Sequence, residues 1–157
     1  MDLIVLGIVA GVLGTLTMDA SNHLLARTGV LVKIDVSMIG RMAAGWARGR
    51  FRYDHPREIQ QVDGERPLGY LAHYTIGVGL AVLYVFGWNH LIGGPPSLLW
   101  AVAYGAATTL AAYLVIFPAI GLGVCGRHSP DGIAAPLSSL VNHIFYGVGM
   151  ALGIALI

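Results

Sequence analysis

Long apolar runs separated by short polar connections dominate this chain, and four of them approach the roughly 20 residues that cross a hydrocarbon core. They run about 3–25, 68–88, 98–123 and 136–157. Pro67, Pro96 and Pro136 sit at or just before the starts of the last three, where a missing N–H costs nothing. Pro118 lies near the end of the third, which predicts a kink or early unwinding there. The pattern predicts an all-α membrane protein of four transmembrane helices forming a single integral membrane domain over residues 1–157. The first run carries an acid, Asp2, where a secretory signal carries basic residues, and it lacks a clear cleavage site, so it is expected to be a retained helix.

The only sizeable polar stretch is the loop 28–67. Within it, Met38, Ile39, Met42, Ala43 and Trp46 recur at helical spacing, which suits a short amphipathic helix on a membrane surface. Spans two and four also repeat one another. His73-Tyr-Thr-Ile-Gly77-Val-Gly79-Leu-Ala81 and His143-Ile-Phe-Tyr-Gly147-Val-Gly149-Met-Ala151 both read H-x-x-x-G-V-G-x-A. Spans one and three share a weaker G-x-x-x-T-L at Gly11–Leu16 and Gly105–Leu110. Two tandem helical hairpins are the natural source of such a repeat, related by an axis along the membrane normal. Close helix packing explains the glycines but not the histidines.

Composition reinforces the membrane assignment. Hydrophobic residues make up 56% of the 157 positions and charged residues 11%, against about 25% charged in a soluble domain. Net charge is only +1, yet eight of the nine basic residues lie between the first two spans and the ninth, Arg127, lies between the last two. The connection between spans two and three has none. The positive-inside rule therefore places the main loop in the cytoplasm and both termini outside. Trp88 and Trp100 then fall at an outer aromatic belt and Tyr70 at an inner one. The basic run Arg48, Arg50 and Arg52 is expected to touch anionic lipid headgroups or an anionic ligand; serving only as a topology signal is the competing explanation.

Ionisable groups inside a membrane are costly and point to function. At about 1.5 Å per residue, Asp19, His23, His73 and His143 fall in one layer near the cytoplasmic face. Tyr74 and Asn142 flank it, and Glu65 shares the His73 face if that helix extends back through Pro67. Two or three imidazoles with a carboxylate suit a transition metal. A haem between His73 and His143 is a second possibility, and a proton or cation pathway a third. Catalysis on a lipid-like substrate, a role as an accessory subunit, and simple interhelical hydrogen bonding compete with these. His55 is expected to be exposed and His90 interfacial, and Cys125 beside Arg127 and His128 reads as a turn with an incidental thiol. One cysteine excludes an intramolecular disulfide and Cys-rich metal sites. No Walker loop, G-x-S-x-G, H-E-x-x-H or C-x-x-C is present, and nothing beyond loop charge suggests nucleic acid.

Several short motifs extend this picture. They are Met18-Asp19, Ile39-Gly40-Arg41, Gly49-Arg50-Phe51-Arg52-Tyr53-Asp54, Gly64-Glu65-Arg66-Pro67-Leu68-Gly69-Tyr70 with Ala72-His73-Tyr74, Pro118 with Gly121-Leu122-Gly123, and Asn142-His143 with Gly147. Through them the chain resembles, over nearly its whole length, a family of uncharacterised bacterial inner-membrane proteins built around a domain of unknown function. The resemblance implies a four-span inner-membrane protein, and Asp19, Glu65, His73 and His143 fall on the family's recurring motifs. The expected function is binding of a metal ion, haem or other small ligand at the His/Asp layer, with a proton- or cation-coupled transporter or a subunit of a membrane complex as alternatives. Helices so rich in Gly and Ala leave small-residue faces suited to self-association in contact with membrane lipid.

Overall fold

The computed structural model describes residues 2–157, which contain helices and turns but no strand. Four helices are long and apolar enough to cross a membrane: α1 (Leu3–Arg27), α3 (Glu65–Leu91), α4 (Leu98–Ala119) and α5 (Ala134–Ala155). A shorter helix, α2 (Val36–Ala47), lies in the loop between α1 and α3. The helix starts follow ordinary capping. The Asp2 carboxylate accepts from the Ile4 N–H at 2.8 Å, and Asp35 accepts from Ser37 at 3.0 Å to cap α2. Pro67 sits in the first turn of α3, so that helix does run back to Glu65.

Pro118 acts as anticipated. Just before it, residues Ala112–Ile116 form a π turn, and the helix ends at Ala119. The Tyr113 hydroxyl donates to the Pro136 carbonyl at 2.6 Å and ties this irregular stretch to the start of α5.

The spanning helices pack in the order α3, α1, α5, α4, each extensively against the next. The repeat glycines make the two hairpins alike. In α1 against α3, a Cβ on Gly11 would fall on the backbone of Gly77 and Val78; in α4 against α5, a Cβ on Gly105 would fall on Gly147 and the His143 carbonyl. Equivalent glycines thus form equivalent crossings, which is the geometry expected of a duplicated hairpin. The central α1–α5 crossing is also close, with Gly149 against Leu13 and Thr17 and Gly153 against Ala10.

The row does not close into a ring. α3 and α4 barely touch. Two tyrosines link them: Tyr104 of α4, whose hydroxyl donates to the Leu80 carbonyl of α3 at 2.9 Å and whose ring lies 5.1 Å from that of Tyr84, and Tyr84 itself, whose hydroxyl donates to the Ser97 carbonyl at the start of α4 at 2.6 Å. Beyond this strut, on the side away from the loop, the core is mainly apolar, with Leu6, Ala10, Val85, Ala101 and Met150 buried there beside the Tyr84 hydroxyl and the Trp88 indole N–H.

α2 is amphipathic as its pattern predicts, but it is fixed to α3. A Cβ on Gly40 would fall on the Glu65 carbonyl and one on Gly69 on the Val36 carbonyl, so the two backbones are in direct contact. Arg41 clamps the junction in a bidentate pair with Glu65, at 2.7 and 2.8 Å. That hydrogen bond pushes the guanidinium further above its already high pKa.

Candidate functional site

Polar side chains inside the bundle collect in the half nearest the loop. Thr15, Asn22, Thr108, Thr109, Ser138 and Asn142 are all buried, and Asp19, His73 and His143 lie among them. The α1–α3 crossing brings Asp19 to His73. One carboxylate oxygen lies 3.0 Å from His73 Nε2, and the other accepts from the Tyr74 hydroxyl at 3.3 Å. Both side chains are mostly enclosed, at 15% exposure for His73 and 25% for Asp19. An ionised carboxylate can only accept, so His73 turns a protonated Nε2 toward Asp19.

The α4–α5 crossing does the same for the second histidine with different chemistry. His143 Nδ1 lies 2.7 Å from Thr108 Oγ1, and that hydroxyl donates to the Gly105 carbonyl at 2.6 Å. A hydroxyl has one proton. Because the carbonyl takes it, Thr108 must accept from Nδ1–H, and His143 Nε2 is left bare. Each imidazole is therefore oriented by a partner behind it, the arrangement that fixes a ring's tautomer at binding sites.

In front of both rings lies a cleft of about 600 Å³. It occupies the gap between α3 and α4, with Ile76 and Leu80 on one wall and Ala111 and Val115 of the distorted α4 on the other. His73 and His143 face it, whereas Asp19 stands behind His73 and does not line it. Ile34 and Met38 cover its loop-side end. A second anchor holds that cover in place. Asn22 donates to the Val32 carbonyl at 3.0 Å and to Asn142 Oδ1 at 3.3 Å, and accepts from the Ile34 N–H at 3.0 Å. Ser138 accepts from the Val32 N–H at 2.8 Å.

The other expected residues lie elsewhere. His23 is exposed on the outer side of α1. Glu65, although on the α3 helix, is engaged by Arg41 and by the Val62 N–H at 3.2 Å. Tyr74 does support Asp19, and Asn142 supports the loop anchor through Asn22. Among the loop arginines, Arg50 pairs with Glu58 at 3.0 Å and stacks over Tyr53, while Arg48 and Arg52 are exposed and in no ion pair among the described residues. His55 is exposed as expected, and Cys125 lies exposed in a turn of 3-10 helix, Val124–Gly126. Asn22, Thr108 and Ser138 were not singled out by sequence; one weak signal was that Thr108 lies within the G-x-x-x-T-L repeat.

Chemically, two oriented imidazoles line an apolar cleft, and one of them, His143, has an unprotonated Nε2. Among the described residues no three His, Cys, Asp or Glu side chains gather to hold a metal ion. A metal at His73 and His143 would therefore have two protein ligands, fewer than the three or four of ordinary zinc sites. A haem would need both rings as its axial pair, with Asp19 and Thr108 orienting them from behind. The site equally suits the polar head of an organic molecule whose body fills the cleft.

A family model matches residues 8–157, almost the whole chain. The chain belongs to the family described as protein of unknown function, DUF2938. No curated protein and no solved structure matches it. DUF2938 membership carries no assigned activity, so function has to be argued from the cleft.

Proposed function

We propose that this DUF2938 protein is a bacterial inner-membrane binding protein whose small ligand enters the α3–α4 cleft from the bilayer and is held by His73 and His143. The observation that carries this reading is the cleft itself: a gap between two spanning helices lined by two imidazoles, each oriented by a partner behind it. Ligand sites are commonly apolar cavities of this size with a few convergent polar groups. The distribution of basic residues supports placing the loop and the histidine layer on the cytoplasmic side. Exposed Ala103 and Ala107 on α4 give small-residue positions for self-association or for a place in a larger membrane complex.

The test is extraction of the protein purified in mild detergent, followed by mass spectrometry of co-purified small molecules, metal analysis and an optical spectrum. A stoichiometric molecule lost in His73→Ala and His143→Ala supports the reading. A metal or Soret band lost in the same variants would redirect it to metal or haem. A wild-type protein carrying nothing, and taking up nothing from added lipid extract, would refute it.

A second reading, proton or cation transport, draws on the Asp19–His73 pair, since such pairs relay protons in transporters. Against it stands the mainly apolar core on the far side, whose buried residues, among those described, include no acid and no histidine to continue the path. Flux in reconstituted vesicles that stops in Asp19→Asn would establish transport instead.

A further inference from the structure

The tautomer of His143 restricts what the cleft can hold. We infer that its ligand is a neutral, lipid-soluble molecule whose head donates hydrogen bonds through hydroxyl groups, as a quinol or a long-chain alcohol does. This rests on the reading of the cleft as a binding site and narrows its ligand class.

Three observations converge. First, His143 presents an acceptor. Thr108 spends its proton on the Gly105 carbonyl, which fixes the His143 proton on Nδ1 and leaves Nε2 as a lone pair. Asp19 orients His73 through Nε2 from behind. A head that only accepts, such as a ketone, quinone or ether, would set lone pair against lone pair at His143 Nε2; a hydroxyl complements it.

Second, the charges exclude an anionic head. The charged side chains lining the cleft are Lys33, Asp35 and Asp131, all exposed at its loop-side mouth, so one cation stands against two carboxylates. Arg41, the nearest partly buried guanidinium, is already held bidentately by Glu65. Nothing at the histidine layer would repay the desolvation of a phosphate or carboxylate.

Third, the cleft opens sideways. α3 and α4 barely touch, Ile76, Leu80 and Val115 present hydrocarbon along the gap, and Ile34 and Met38 cover the loop-side end. A ligand with an apolar chain reaches the histidines from within the membrane, leaving its chain between the helices.

The experiment compares two probes of one skeleton. Equilibrium binding of a decyl-substituted benzoquinol and of its quinone is measured anaerobically on the full chain in detergent micelles. The quinol is expected to bind about tenfold or more tightly than the quinone, because the quinone forfeits at least one buried hydrogen bond. Thr108→Val removes the group that pins the tautomer, lets the proton move to Nε2, and should bring the ratio close to unity. Thr108→Ser retains the hydroxyl and should restore the preference, which separates tautomer control from a packing defect. A long-chain alcohol and its methyl ether form a second arm. Preference in the quinol pair assigns the site to a ring diol, and preference only for the alcohol over its ether assigns it to a single hydroxyl. Both probes of each pair binding equally would overturn the inference while leaving the cleft a binding site. If none binds, and no molecule co-purifies, the binding reading falls as well.

Discussion

Asn22 fastens the loop over the cleft, and its replacement by Ala tests whether that cover is held as the geometry says. The side chain is 4% exposed and bonds three groups at once: the Val32 carbonyl, the Ile34 N–H and Asn142. Ala leaves the first two without partners. A net hydrogen bond contributes about 0.5–1.5 kcal/mol, while interhelical side-chain bonds in membranes average nearer 0.6 kcal/mol. The two backbone groups belong to the loop, where water can re-satisfy them once it lifts. Local undocking should therefore cost about 1–3 kcal/mol less than in the parent. The assay is thiol labelling of a cysteine at Ile34 in a Cys125→Ser background. At that cost the opening equilibrium, and with it the labelling rate, should rise by about 5- to 100-fold. Asn22→Asp keeps an acceptor for Ile34 but loses the donor to Val32, so it should fall between parent and Ala. Labelling in Asn22→Ala within twofold of the parent, with unchanged thermal stability, would refute the anchoring role.

Single cysteines at Asp54 and Gly94 should label from opposite sides of the membrane, Asp54 from the cytoplasm; labelling of both from one side would contradict four spans. Replacing Arg48 and Arg52, which form no ion pair among the described residues, by Gln should weaken binding to anionic vesicles by roughly fivefold each, whereas Arg50→Gln should have a smaller effect because Glu58 already engages it. Vesicle binding that responds only to Arg50 would reverse that assignment. Gly105→Leu should destabilise the α4–α5 crossing by about 1–3 kcal/mol or more, since even a Cβ there falls on the Gly147 backbone. A thermal midpoint equal to the parent's would show that this crossing is not as close as described.

Depth along the membrane was legible in the sequence. The rise per residue and the ends of the apolar runs place Asp19, His73 and His143 in one layer, and two of these do pair. Azimuth was not. Four residues advance a helix by about 40° beyond a full turn, and that rotation carries His23 out of the bundle although it is one turn from Asp19. Glu65 shares a helix with His73, but a partner 24 residues earlier, Arg41, takes it. Asn22, Thr108 and Ser138 are ordinary polar residues in helices. Their roles depend on α1 lying between α3 and α5, and on a loop segment returning to the bundle, neither of which local periodicity encodes. The repeat, by contrast, was fully readable, because matching glycines leave the same mark in sequence that they make at the crossings.

The repeat also accounts for the cleft. Two like hairpins sharing an axis along the membrane normal would make the α1–α5 crossing twice, the second time between α4 and α3. At the first crossing Gly149 meets Leu13 and Thr17, and Gly153 meets Ala10. By the spacing of the repeat, Gly79 stands for Gly149 and Leu83 for Gly153 in α3, while Tyr104 stands for Ala10 in α4. Gly79 still has no side chain, yet a Cβ there would meet nothing. Tyr104 spans the distance with its bond to the Leu80 carbonyl. Where α1 presents Leu13 and Thr17 to α5, α4 has only Ala107 and Ala111, and Ala111 lines the cleft. The second crossing therefore lacks the side chains that fill the first, and the cleft beside His73 and His143 lies along it. Close approach of helices in lipid is favourable, so an unfilled crossing beside two oriented imidazoles is the feature that the binding experiments address.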